Sequence, residues 1–433
     1  MLDDSRSSLL VDLDNDGDQD LVVATKSDLV LFTNAGDRFD LIEKIDRCCS
    51  GLSLSAADYD NDGDLDLFLC RQTGSRTSTQ SVDSTVNLLA GSVLLRNDES
   101  FRFTDVTASV GLVSEAPLDA RSAIWFDRDL DGDQDLYVTA GKSGGIQFVN
   151  TDGFFKRAAE LVASSLPGQQ SVSSGDFNGD GRFDLFVASD CQLAMSNANE
   201  SHVSFGGQAD STKPFFLRAP LFNNQYATTS LAVDVNNDGR DDLLIGNGGL
   251  TRNKLEDLAW IYPNPKMDPA NSLGKFGTAG QNESLIEEAK FEEYSVYSHQ
   301  KNRCYASIGS NGFAEISSIS GLDSRQDYSE DARAMVATDW DHDGDTDVLV
   351  MSRTGPQLRV FINKLDRRNS ISFILEGEDS NRDAIGARVE VKLNASAAPI
   401  VKTVQAGSGF LSCLLYTSPS PRDATLSRMP SSA

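Results

Sequence analysis

The chain has 433 residues and a formal charge of −27, from 65 acidic and 38 basic residues. So acidic a balance, with no basic stripe, argues against nucleic acid and anionic membrane as partners. No apolar run reaches the ~18 residues needed to cross a membrane, and the six cysteines are too sparse for a disulfide scaffold.

Residues Met1–Ser5 hold neither a basic nor an apolar leader region. The first motif starts at Asp12, so the natural start is expected upstream. From there the pattern Asp-x-Asp/Asn-x-Asp-Gly-x-x-Asp recurs six times, beginning at Asp12, Asp58, Asp127, Asp176, Asp234 and Asp339. A short strand of small or apolar residues enters each copy, as in Ser55-Ala56-Ala57, Ala123-Ile124-Trp125-Phe126 and Met335-Val336-Ala337. A second leaves it, as in Leu21-Val22-Val23 and Leu136-Tyr137-Val138. A third ends near Asn: Val30–Asn34, Val93–Asn97 and Val360–Asn363. A fourth is indicated by Phe101–Val106 and Phe313–Ile316.

Four short strands per unit of roughly 40–60 residues describe a propeller blade. Intervals between motif starts are 46, 69, 49, 58 and 105 residues. A solenoid would keep a stricter period, whereas a blade tolerates insertions in its connections. The expected fold is all-β: a β-propeller of seven blades over residues 1–365, six of them with Asp-rich loops. Residues 72–85 read as a polar loop. Residues 247–303 read as an insertion, a specificity element or a hidden seventh blade, with a short helix over Glu283–Tyr294 and a third strand at Trp260-Ile261-Tyr262.

The motif itself specifies a metal chemistry. Oxygens at positions 1, 3 and 5 turn toward one centre when the loop curls, and the Gly at position 6 permits the turn. Position 9 reaches back as the last protein ligand. The candidate ligands are Asp12, Asp14, Asp16 and Asp20; Asp58, Asp60, Asp62 and Asp66; Asp127, Asp129, Asp131 and Asp135; Asp176, Asn178, Asp180 and Asp184; Asp234, Asn236, Asp238 and Asp242; Asp339, Asp341, Asp343 and Asp347. An all-oxygen, flexible, anionic loop suits Ca²⁺ better than Mg²⁺, and Zn²⁺ would want His or Cys. About six Ca²⁺ sites are expected, weaker where Asn178 and Asn236 replace Asp. An EF-hand needs Glu at position 12, which here is Val23, Leu69, Val138, Val187, Ile245 or Val350. Ordinary Asp/Asn/Gly turns without an ion are the blander alternative, but chance does not repeat the Gly and the final Asp in every copy.

Beyond the propeller, Ser370–Leu375, Gly386–Val391 and Val401–Val404 read as three strands of a small β appendage over 366–412. Residues 413–433, beginning Cys413-Leu414-Leu415-Tyr416-Thr417, resemble a translated sequencing-library adapter rather than native protein. Cys48, Cys49, Cys70, Cys191 and Cys304 read as buried thiols, or as a single Cys49–Cys70 bridge.

The repeated loop with its flanking strands resembles the FG-GAP/VCBS repeat, the unit of the integrin alpha-subunit propeller. That resemblance implies structural Ca²⁺ at positions 1, 3, 5 and 9. Asn381–Val389 with Ala406–Ser412 looks like the ASPIC/UnbV domain, found with such repeats in bacterial secreted proteins and animal cartilage acidic proteins.

Low-affinity Ca²⁺ loops fill in millimolar calcium outside the cytosol, so an extracellular, cell-surface or periplasmic location is expected. The expected function is a non-catalytic scaffold for adhesion or for binding an extracellular protein or glycan ligand. A secreted polysaccharide hydrolase or lyase is the alternative, since propellers also host such sites. His202, His299 and His342 build no H-E-x-x-H, there is no G-x-S-x-G, and Gly141-Lys142-Ser143 lacks the upstream Gly of a P-loop.

Overall fold

In the computed structural model every Asp-rich loop is the connection between the first two strands of a small antiparallel sheet. The described residues are 5–46, 51–71, 92–99, 101–113, 118–141, 144–158, 168–189, 201–204, 215–216, 227–248, 254–257, 294–295, 300–309, 312–323, 331–353, 356–365, 370–394 and 399–407. Blade one is β1 (Ser5–Val11), β2 (Asp20–Thr25), β3 (Asp28–Asn34) and β4 (Phe39–Asp46). Blade two is β5 (Gly51–Ala57), β6 (Asp66–Arg71), β7 (Val93–Asn97) and β8 (Phe103–Asp105). Blade three is β9 (Ala120–Phe126), β10 (Asp135–Ala140), β11 (Ile146–Thr151) and β12 (Phe154–Arg157). Blade four is β13 (Gln169–Gly175), β14 (Asp184–Ser189), β15 (His202–Ser204) and β16 (Phe215–Phe216).

Blade five starts with β17 (Ala227–Val233) and β18 (Asp242–Asn247). A separate parallel pair follows, β19 (Lys254–Asp257) and β20 (Tyr294–Ser295), before β21 (Arg303–Gly309) and β22 (Gly312–Glu315) complete the blade. Blade six is β23 (Ala332–Thr338), β24 (Asp347–Ser352) and β25 (Leu358–Phe361). The fold is an all-β propeller.

The described residues form six blades rather than seven, and the pairing gives the reason. Strand β18 bonds directly to β21, with Leu243 opposite Tyr305 and Ile245 opposite Arg303. The long interval therefore separates two paired strands of one blade, β18 and β21. The blade's third strand is Arg303–Gly309, not Trp260–Tyr262, which lies outside the described residues together with Glu283–Glu293 and 72–85. Tyr294 falls in a strand rather than in the expected helix.

Packing between blades explains the residue types. Second strands are buried on both faces, as in β10 and β14, and so read as continuous apolar runs. Hydrophobic clusters lie between blades one and two, two and three, three and four, four and five, and five and six. First strands converge on the axis and carry small side chains: Ser171 and Ser173 both meet Ser230 at 3.2 Å, one blade on. Each pair of first and second strands also carries a register shift near its far end, such as Ser5/Ser7 and Ala332/Ala334. Among the described residues no such cluster joins blade six to blade one. Leu10, Met351 and Leu358 stay exposed on those two outer faces.

Residues 370–407 lie across the ends that carry the Asp-rich loops. Strands β26 (Arg388–Val391) and β27 (Ile400–Thr403) pair as expected. Ser370–Leu375 forms no strand, because β-type residues without a ladder partner do not make one; Ile371, Phe373 and Ile374 are exposed. The segment then enters the axis, where Ala406 forms an antiparallel bridge to Ala56 of β5, and Gln405 Nε2 donates to Trp125 O and Ser174 Oγ. Cys70 and Cys304 are buried free thiols, and the other cysteines lie outside the described residues.

Trp125 is the anchor between blades two and three. Its ring meets Phe68 edge-on at 6.2 Å and Phe155 at 6.0 Å, and its Nε1 donates to Ser55 Oγ at 3.1 Å. Trp125→Ala should cost about 3–5 kcal/mol of unfolding free energy, read from the urea midpoint at unchanged slope.

Candidate metal centres

The six loops repeat one hydrogen-bond plan. At position 1, one carboxylate oxygen accepts from the backbone N–H of position 5 and the other from the Gly at position 6. For Asp12 the distances are 3.1 Å to Asp16 and 2.8 Å to Gly17; for Asp339 both are 3.0 Å, to Asp343 and Gly344. Asp58, Asp127, Asp176 and Asp234 do the same. The position-5 carboxylate accepts from the N–H of position 7 in every copy, as Asp62 does from Asp64 at 3.0 Å. Chain reversal requires left-handed backbone at positions 4 and 6. Position 6 is Gly throughout, with φ of 98° at Gly17 and 89° at Gly344. Position 4 is Asn15, Asn61, Gly179 or Asn237, but also Leu130 at φ 65° and His342 at φ 59°.

Position 9 does more than its expected role as a ligand. Its Oδ2 accepts from the N–H of position 2 in all six loops, for example Leu13 to Asp20 at 2.9 Å and Trp340 to Asp347 at 2.8 Å. In five loops its Oδ1 accepts from the end of the third strand, as from Asn97 to Asp66 at 2.9 Å and from Asn150 to Asp135 at 2.7 Å. It thus ties the loop to its own blade.

Four groups bring three carboxylate oxygens within 4.8 Å of one another: Asp12, Asp14 and Asp20; Asp58, Asp60 and Asp62; Asp127, Asp129 and Asp131; Asp339, Asp341 and Asp347. Each can hold a metal ion. Loops four and five have an amide at position 3. Asn178 bonds to Asp180, and Asn236 Nδ2 donates to Asp242 at 3.3 Å. Two buried acceptors at position 3, Asp60 Oδ1 and Asn236 Oδ1, have no hydrogen-bond partner. A hard cation fits both, because an unpaired buried oxygen is costly and Ca²⁺ takes carboxylate and amide oxygens alike.

Charge completes the case. Burial pushes the Asp66 carboxyl up to about 9, Asp135 and Asp242 to about 7, and Asp12, Asp20 and Asp58 to about 6. Neighbouring carboxylates add to the shift in each, while backbone N–H donors oppose it. Without a cation these six carboxyls hold protons more readily than free ones do, and metal and protons compete for the same oxygens.

The motif alone does not reveal three sets of residues that lock the loops together. Third-strand residues reach the preceding blade: Asn97 Nδ2 donates to Leu13 O, Asn150 Nδ2 to Tyr59 O, Ser307 Oγ to Phe177 O and Asn363 Nδ2 to Val235 O. The recurrent Asn at the end of the third strand was the available signal. Position-4 amides reach the following loop, Asn15 to Asp64 at 3.0 Å and Asn61 to Asp133 at 2.8 Å. Asp383 and Lys402, from the C-terminal segment, touch loops one and five. Nothing near them in sequence marks that role.

A family model described as an FG-GAP-like repeat matches residues 12–69 and 127–187, so the chain carries FG-GAP-like repeats. No curated protein matches the chain. Among solved structures it is similar to a lectin from Agrocybe aegerita specific for non-reducing terminal N-acetylglucosamine, at 14% identity and TM-score 0.46, covering 84% of this chain and 81% of the lectin. A Photorhabdus luminescens Tc holotoxin pore structure matches at 16% identity and TM-score 0.34, covering 82% of this chain and 14% of that one. The Vibrio cholerae biofilm matrix protein Bap1 matches at 13% identity and TM-score 0.24, covering 80% and 35%. At these scores the likenesses bear on neither ligand nor activity.

Two predictions follow from the loop geometry. Leu130 spends about 1 kcal/mol on its left-handed conformation, so Leu130→Asn should raise unfolding free energy by about that amount in chemical denaturation. Raised carboxyl pKa values give stability that is full below the unfolded value of about 4 and is lost as pH climbs through the folded values. In chelator the melting midpoint should therefore fall from pH 5 to pH 9, and calcium should flatten that slope in scanning calorimetry.

Proposed function

We propose that this chain is a calcium-stabilised propeller that acts as a non-catalytic scaffold outside the cytosol, at the cell surface, secreted or in the periplasm. Its partner on this reading is an extracellular protein or glycan, held for adhesion or recognition. One observation carries the calcium assignment: the loops keep the same backbone plan six times over, yet Asp60 Oδ1 and Asn236 Oδ1 are left without a donor. An oxygen-only site of this kind asks for a hard divalent cation, and a flexible loop favours Ca²⁺ over Mg²⁺.

On this reading the ion does no chemistry. It supplies the positive charge that backbone N–H groups deliver only in part, so it holds each first hairpin and, through Asn97, Asn150, Ser307 and Asn363, the neighbouring blade. The segment over 366–412, with its Asn381–Val389 and Ala406–Ser412 motifs, is read as ASPIC/UnbV-like, and its described residues cover the same loops.

Calcium at 100 times its Kd contributes about 2.7 kcal/mol per independent site. Chelation should thus lower the melting midpoint by at least about 10 °C, given several sites and a few degrees per kcal/mol. An unchanged midpoint rejects structural calcium. Incubation with plant, bacterial and matrix polysaccharides, followed by chromatography, addresses the scaffold half of the reading: bound but intact glycan supports it, and shortened chains reject it.

A further inference from the structure

The C-terminal segment brings fixed charges of opposite sign to two sides of the loop ring. Near loop one lies Asp383. Its Oδ2 accepts from the Asp12 backbone N–H at 2.8 Å, and its Oδ1 accepts from Gln19 Nε2 at 2.6 Å. Loop one therefore has a carboxylate from outside its motif beside Asp18 and the four at its ligand positions. The adjacent Arg382 guanidinium lies over Gly17 but is paired with Glu376 at 3.1 Å, which offsets its charge.

Lys402 sits across the ring. Its ammonium pairs with Asp241 Oδ1, and Asp241 Oδ2 accepts from the Asp176 backbone N–H at 2.9 Å. The same ammonium acts electrostatically on Asp234 and Asp176, the first residues of loops five and four. The β26–β27 hairpin fixes it there. Arg388 Nη2 donates to Gly181 O at 2.6 Å, Pro399 and Val401 lie over Gly181, and Ile400 lies over Gly239. Loops four and five are also the two in which Asn178 and Asn236 stand at position 3. They lack the position-3 carboxylate and lie beside the Lys402 ammonium, whose charge Asp241 offsets only in part, since it still acts on Asp234 and Asp176.

We propose that Asp383 and Lys402, both outside the repeated motif, grade the calcium affinities of the ring: Asp383 tightens loop one, and Lys402 weakens loops four and five. The inference rests on the reading of the loops as calcium sites. Affinity in oxygen-ligand loops follows the local count of charges, and a unit charge several ångströms from a divalent ion alters binding strongly at the effective dielectric of a protein surface. The Lys402 side chain is 43% exposed, so solvent reduces its effect to about fivefold in Kd. Linkage is reciprocal: calcium entering loops four and five loosens the hairpin, whereas calcium in loop one holds Asp383 in place.

The full chain should be titrated with calcium against a chromophoric chelator, with native mass spectrometry counting the ions. The wild type should show a tight and a weak class. Lys402→Met should tighten the weak class about fivefold and leave the tight class alone, and Lys402→Arg should match the wild type. Asp383→Asn should weaken one tight site about fivefold and leave the weak class alone. Unchanged constants overturn the inference, and so does a uniform weakening in both methionine and asparagine variants, which would mark general loosening of the fold. A wild type that binds no calcium fails the reading of the loops themselves.

Discussion

Carboxylates crowded into a nine-residue turn and drawn partly out of water are the constraint on which this structure depends. Every nearby donor is turned toward them. Backbone N–H groups of positions 5, 6 and 7 face inward because Gly17 and its counterparts allow left-handed backbone, and position 9 collects two more from its own blade. Dipoles moderate the cost of burial and of mutual repulsion but do not cancel it, as the elevated Asp66, Asp135 and Asp242 carboxyls record. The rest of each blade can then be built from apolar second strands and small first strands, since the polar work is confined to one end.

Much of this was legible in the sequence, and the reason is repetition. Asp-rich turns between a small-residue strand and an apolar one, closed by a third strand ending near Asn34, Asn97 or Asn363, predict a blade because each is seen several times in register. Blade number was not legible. An interval of 105 residues fixes how much chain is present, but not that β18 would wait for β21 as its partner. Ser370–Leu375 misled for a related reason: strand propensity is satisfied only by a neighbouring strand, and none among the described residues pairs with it. The contacts of Asp383 and Lys402 lie 371 and 161 residues from their partners, so no local pattern announces them. The hydrogen-bonding role of position 9 was hidden because a metal oxygen and a hydrogen-bond acceptor look alike in a motif.

The two faces of the propeller differ. First-to-second connections carry the acids and lie under the C-terminal segment. Because strands alternate in direction, second-to-third connections start on the opposite face, at Arg71, Ser189 and Asn247. Three of the longest intervals between consecutive strands of a blade begin there. The largest insertions thus start away from the acids, where a shifted residue would break the repeated plan.

The clasps between blades also have a direction. Asn97, Asn150, Ser307 and Asn363 each belong to a later strand and each grips the loop of the blade before it. Asp241 does likewise when it accepts from Asp176. For these clasps the receiving loop is already synthesised when the gripping residue leaves the ribosome, whereas Asn15 and Asn61 reach forward to loops that come after them. The ring is therefore clasped in both directions, backward by third-strand ends and forward by the first two loops.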